Sequence, residues 1–448
     1  MRRLALFLLI SPFLTSCGGV QPKEAKVTIP LPVDKSSVEP SVARLLNQTS
    51  SELRNSMEDP QKWLVHGSAL FANAYYYESA ESLRQAITLK SEMPQATYLL
   101  ATALWKANKQ EDGIVALQAA LVLIPEYDMG WRLLAEWQLE RGETADAEVS
   151  ARRAFDLNPG RIGTRYILAQ SLMDDGKYEE ALHLLEETIS VKNSVKKAPR
   201  WIYTLASQCY RQLGMTEQSE EALLQSGPPF VDWPDPMYKH IPNLIAGKAE
   251  LAEYAMHLYH ATGPSKAKPF LIKAFKINPE HVNVRVALSI VLQAEGNLDQ
   301  SKKLLEEMQG EPNSNYWKQY AGICIGRDEL SEANAHISKA LALDGEDANA
   351  RDIAAVIANK QGNTAEASRQ WEEAGKLYIK TETWDKAELS LAFAEENGEL
   401  TFAGSEALAL AQIEMGHALQ ARTTIQKLLK KDPSNEKALE LQSRLPTE

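Results

Sequence analysis

In residues 131–159 the chain sets Trp131, Leu134 and Ala135, then Ala147 and Ala154, among charged and polar positions, with Gly142 between the two groups and Pro159 at the end. Spacings of three, four and seven place such residues on one side of a helix. A glycine and a proline mark where one helix stops and another cannot continue. The stretch predicts two short amphipathic helices joined by a tight turn, and the same rhythm returns before and after it.

The small residue that opens the second helix falls at Ser79, Gly113, Ala147, Ala181, Ser219, Ala267, Ser301, Ala333, Ala367, Ala387 and Ala421. Six of the ten steps between these anchors are 34 residues, so the unit is a helix pair repeated along the chain. Sixteen residues before the anchor stands a large residue at Trp63, Trp131 and Trp317. Twelve before it is a small one, as at Gly67, Ala101, Ala135, Ser207, Ser289 and Ala321. Five before it comes Gly142, Gly176, Gly214, Gly296, Gly362 or Gly416, where a left-handed turn is needed. Twelve after it come Pro125, Pro159, Pro279 and Pro433.

In period and in these positions, residues 61–433 resemble the tetratricopeptide repeat superfamily. The resemblance implies an all-α fold, a right-handed α-solenoid of about eleven helix pairs, because one pair cannot bury its apolar stripe while stacked neighbours can. It also implies a concave face built by the first helix of each pair, suited to peptides and other proteins. The positions that face it in the family correspond here to Tyr98, Thr102 and Trp105, then Arg132, Glu136 and Leu139, then Tyr166, Gln170 and Met173, then Thr204, Gln208 and Arg211. In the later repeats they are Ala252, Met256 and Tyr259, then Val286, Ile290 and Gln293, then Lys318, Gly322 and Ile325, a more apolar set that is either covered or a second contact surface.

The array is not uniform. Five prolines in residues 226–243 forbid a continuous helix, so residues 228–245 are expected as an extended linker, with Phe230, Trp233 and Tyr238 pinned against the array. It separates an N-terminal block, 41–227, from a C-terminal block, 246–433. The step of 20 between Ala367 and Ala387 leaves no room for a full pair, so an irregular unit near 367–398 shares or loses a helix. Residues 434–448 read as a capping helix. A basic loop, "KNSVKKAPR", adds four residues at 192–200.

The first sixteen residues combine Arg2 and Arg3 with a short apolar run, and read as an export signal too short to span a bilayer. Leu14-Thr15-Ser16-Cys17 resembles the bacterial lipobox, which implies that Cys17 is acylated, with palmitate among its chains, and that 17–40 tether the body. With Gly18 following, the resemblance implies the outer membrane of a bacterial cell envelope, facing the periplasm. Cys209 and Cys324 lie repeats apart and are expected as buried, unpaired thiols.

A net charge of −12 repels phosphate backbones, so nucleic acid is not expected as a partner. No phosphate loop, HExxH or CxxC motif is present, and neither a cofactor nor a metal is expected. The best metal candidate is His257 with His260 and Glu253, which can share a helical face and carry the alternative reading of an envelope enzyme or enzyme subunit. The expected role is a non-catalytic, lipid-anchored scaffold, an assembly or adaptor factor for other proteins.

Overall fold

The computed structural model describes residues 27–34, 36–190, 200–226 and 235–445. The export signal, Cys17, the loop at 192–199 and the linker residues Phe230 and Trp233 lie outside them. The described residues form helices and turns without a strand. In the first half these are α1 (Pro40–Arg54), α2 (Pro60–Ala72), α3 (Tyr76–Leu89), α4 (Pro94–Lys106), α5 (Gln110–Leu123), α6 (Asp128–Glu140), α7 (Thr144–Leu157), α8 (Ile162–Asp174), α9 (Tyr178–Ser190), α10 (Arg200–Gln212) and α11 (Thr216–Leu224). After a 3₁₀ turn, Pro236–Tyr238, come α12 (Ile241–Leu244), α13 (Lys248–Thr262), α14 (Pro264–Ile277), α15 (Val282–Ala294), α16 (Leu298–Glu306), α17 (Ser314–Gly326) and α18 (Leu330–Leu343). The chain continues through α19 (Ala348–Lys360), α20 (Thr364–Lys380), α21 (Trp384–Asn397), α22 (Phe402–Glu414), α23 (Ala418–Lys431) and α24 (Glu436–Ser443).

This is the all-α, tetratricopeptide-type solenoid that the period implies: consecutive helices pack antiparallel in pairs, and pairs stack on pairs. Helix starts are written locally. Asp59 accepts a hydrogen bond from Gln61 N at 2.8 Å, and Pro60 fills the first helical position, where its missing N–H has no cost. Within a pair, the anchor and the small residue twelve positions earlier let the backbones meet. Ser79 donates to the Gly67 carbonyl at 2.8 Å and Ser301 to the Ser289 carbonyl at 2.8 Å. A Cβ on Gly67 would sit 2.9 Å from Leu83 Cγ, so no larger residue fits without repacking.

The slot sixteen residues before the anchor has a second occupant that the tryptophans alone do not reveal. Trp131 Nε1 donates to the Pro125 carbonyl at 2.9 Å, closing the loop between repeats. Arg165 and Arg285 make the same bond to the Pro159 and Pro279 carbonyls, at 2.8 and 3.0 Å. Both side chains combine a planar N–H with a long apolar body, which is what the slot selects. The turns show a similar equivalence. All six predicted glycines have φ between 74° and 80°, and Ala74, Asn108, Asp328 and Glu382 occupy the same position with φ between 54° and 66°.

Two irregularities position the functional surfaces. Helix α20, seventeen residues long, packs against α19 on one side and α21 on the other, and so serves two consecutive pairs. The linker is the larger departure. Its described residues, 235–245, are not a simple extended spacer: they form the 3₁₀ turn and α12, and fold back onto α2 and α4. The prolines prevent a long helix, but Tyr238, Ile241 and Ile245 still have apolar surface to hide, and the nearest apolar surface is that of the first block. Leu53, Trp63 and Leu83 consequently share one continuous core with Ile241, Ile245, Leu251 and Leu271 across the join.

Candidate protein-binding grooves

The first helices of the N-terminal pairs present the expected register, but two parts of that face have different fates. Over α2 and α4 it is filled by the chain itself. Tyr98, fully buried, donates its phenolic hydrogen to Asp235 Oδ2 at 2.7 Å. Tyr127, just ahead of α6, donates to the other oxygen of the same carboxylate, and Met237 N donates to it at 2.8 Å. The Tyr238 ring lies parallel to Phe71, with centroids 6.1 Å apart, and tilted on Tyr98 at 5.7 Å. Burial above all pushes both the Tyr98 and Tyr127 phenols well above their usual range, with Tyr238 and Asp235 adding to it at Tyr98 and Asp235 at Tyr127, so both are donors at any ordinary pH.

The open groove expected at Tyr98 and Thr102 is therefore corrected: both are buried, Tyr98 against Asp235 and Tyr238 and Thr102 beside Tyr238. Trp105 is also not a free contact, since its ring stacks on Trp137 at 4.4 Å. Aromatic surface on one repeat finds aromatic surface on the next more readily than it stays in water.

Beyond the covered part, Arg132, Glu136, Leu139, Tyr166 and Gln170 converge on an open cavity of about 290 Å³. Arg132 Nη1 donates to Glu136 at 2.8 Å. Glu140 and Asp174 border the same space, and burial raises both carboxyls above the usual value. Met173 packs into the core of its repeats, Gln208 is half-buried and Arg211 exposed, and none of the three lines this cavity.

The C-terminal block carries an open cavity of about 480 Å³ along its first helices. Met256 of α13, Val286 and Ile290 of α15 and Ile353 of α19 supply its apolar lining. Tyr259, Gln293, Lys318 and Gly322 also line it, so seven of the nine positions assigned by register meet there; Ala252 and Ile325 do not. Lys318 is held by Asp347 at 2.6 Å, which neutralises the groove's charge from within. Asn283, Asn315 and Asn349, all exposed, recur along its edge at steps of 32 and 34. Sequence reasoning missed them, although their spacing repeats the period.

His257 and His260 are exposed on α13, and among the described residues no third metal-ligating group gathers with them. The described residues instead gather Cys324, Glu332 and His336, with ligand atoms within 4.8 Å of one another. Their chemistry argues for packing. Lys302 donates to both Glu329 and Glu332 at 2.8 Å, supplying the positive charge the carboxylates need. Burial pushes the Cys324 thiol up to about 12, and the His336 ring stacks on Tyr320 at 3.9 Å. Cys209 and Cys324 are both buried and unpaired. No described helix is long and apolar enough to cross a membrane.

No family model and no curated protein matches the sequence. Among solved structures the chain is similar to that of Naa15/Naa10 bound to HypK-THB, at 14% identity over 90% of this chain and 76% of that one, with a TM-score of 0.31. It is similar to the MamA protein at 18% identity over 34% of this chain and 86% of that one, TM-score 0.31. It is also similar to pilF of Pseudomonas aeruginosa, at 15% identity over 44% and 96% of the two chains, TM-score 0.28.

Proposed function

We propose that this tetratricopeptide-type array is a non-catalytic scaffold that binds other proteins through its concave faces. The observation that carries the reading is the convergence of Met256, Val286, Ile290, Gly322 and Ile353, from the first helices of four successive repeats, on one open cavity of about 480 Å³. A groove with an apolar lining, an amide edge and an internally neutralised lysine suits an extended segment or helix that inserts uncharged side chains and offers backbone polar groups to the edge.

The cellular setting belongs to the same proposal. Leu14-Thr15-Ser16-Cys17, at the end of a short apolar run, supports acylation of Cys17 in a bacterial envelope, with the body held at the outer membrane on its periplasmic side. There it acts as an assembly or adaptor factor.

A photocrosslinking residue at Gln293, in the groove, should capture one or a few partner proteins in intact cells, whereas the same residue at the exposed Asn334 of α18 should not. Equal or empty capture at the two positions would remove the scaffold reading. Membrane fractionation of Cys17→Ser tests the address independently: the variant should leave the membrane pellet and lose the acyl mass.

A further inference from the structure

The docked segment has the form of a bound peptide. Its Asp235 carboxylate is received by two phenols, Tyr98 and Tyr127, from successive repeats. Three residues on, Tyr238 enters an aromatic site made by Phe71 and Tyr98. His240 follows, its Nε2 3.2 Å from Ser68 Oγ and its Nδ1 3.0 Å from Gln95 Nε2. Gln95 also reaches the Met237 carbonyl at 3.3 Å. Asn73 then grips the backbone, donating to the Leu244 carbonyl at 3.0 Å and accepting from Ala246 N and Gly247 N at 2.8 and 2.9 Å. The contacts combine a carboxylate site, a ring site and backbone capture, which together define a sequence-reading peptide site.

We propose that the face over α2 and α4 is a receptor for partner peptides presenting a carboxylate followed three residues later by an aromatic ring, and that residues 235–247 are its resident, displaceable ligand. The receptor deepens the scaffold reading by naming a partner chemistry for the N-terminal block. Lys248 N, where α13 begins, donates to Glu39 at 2.8 Å, so the resident segment leads directly into the join between blocks. A competing peptide that expels it loosens that join. Tethering places the resident segment at an effective concentration on the order of millimolar, which a partner must overcome.

The test uses a fluorescent synthetic peptide with the sequence of residues 235–247 and a control peptide with asparagine and alanine at the positions of Asp235 and Tyr238. The full chain and its Asp235→Asn/Tyr238→Ala variant are titrated with both. The variant should bind the first peptide at least tenfold more tightly than the unaltered chain does, and the control peptide should bind neither. A variant that keeps its circular dichroism and melting cooperativity yet does not prefer the first peptide overturns the proposal. Should the variant not fold, hydrogen exchange on the unaltered chain decides: saturating peptide should accelerate exchange in residues 236–247, and unchanged exchange overturns the proposal. Capture at Gln293 reads a different groove, so either proposal can fail without the other.

Discussion

Tyr98 and Asp235, 137 residues apart in sequence, are joined by a 2.7 Å hydrogen bond at a site where the phenol is fully buried. A charge-assisted bond of this kind contributes about 1.5–3 kcal/mol, roughly twice a neutral one. Tyr98→Phe should therefore cost about 2 kcal/mol in urea unfolding, softened by Tyr127, which still serves the carboxylate. Tyr98→Phe and Asp235→Asn should couple by more than about 0.5 kcal/mol in a double-mutant cycle. Additive effects would mean that the two residues do not act through each other.

Arg285 is 2% exposed and donates to the Pro279 carbonyl at 3.0 Å and to the Leu304 carbonyl, with its guanidinium over the Phe275 ring at 5.1 Å. Removing it strands buried carbonyls and leaves a cavity. Arg285→Ala should cost about 3–5 kcal/mol in chemical denaturation. Arg351→Ala, at the same register position but only half-buried, should cost clearly less.

Glu382 holds φ of 54° at a turn where other repeats have glycine. The left-handed region costs an ordinary residue roughly 1–2 kcal/mol, partly offset by glycine's greater freedom in the unfolded chain. Glu382→Gly should stabilise by about 0.5–1 kcal/mol. Gly142→Ala should destabilise by about 1 kcal/mol through backbone strain alone, since nothing lies within 4 Å of the added Cβ. Thermal melting of both variants checks the pair of signs.

Burial holds the imidazoles of His66, His240 and His336 below their ordinary value. His66 shows why: Nε2 donates to the Pro30 carbonyl at 2.8 Å, and Nδ1 accepts from Thr49 Oγ1 at 2.8 Å, so the neutral ring is already satisfied. The unfolded chain takes up protons near pH 6.5 that the folded chain refuses until lower pH. Stability should be complete above about pH 6.5 and fall as the pH drops below it. The urea midpoint at pH 7.5 should exceed that at pH 5, and His66→Gln should flatten the difference.

At Gly375 an added Cβ would lie 2.4 Å from Leu391 Cγ, at the point where α20 meets α21. Gly375→Ala should cost about 1–3 kcal/mol by overpacking. Its effect should centre on α20–α22 in hydrogen exchange, because stacked repeats communicate mainly with their neighbours.

Most of the architecture is written in local spacing. The small anchors from Ser79 to Ala421, the turn glycines and the loop-closing prolines each answer a demand inside one repeat, namely close backbone approach, a left-handed turn or a helix stop, and such demands show in a single sequence as a period. Substitutes that meet the same demand by other chemistry, such as Arg285 for tryptophan or Glu382 for glycine, break the spelling without breaking the structure. The groove of the C-terminal block is lined by Met256, Val286, Ile290 and Gln293, positions that the repeat resemblance assigned to the concave face.

Local spacing therefore sets the repeated unit, its stacking and the side of each helix that faces inward. Tertiary structure alone decided which concave surface stays open. Nothing in the spacing of Tyr98 and Thr102 announces that Asp235 and Tyr238 will cover them, because that contact bridges more than 130 residues and depends on where the prolines let the chain turn back. Register fixes which way a side chain points; only the folded path of the rest of the chain fixes what it meets there.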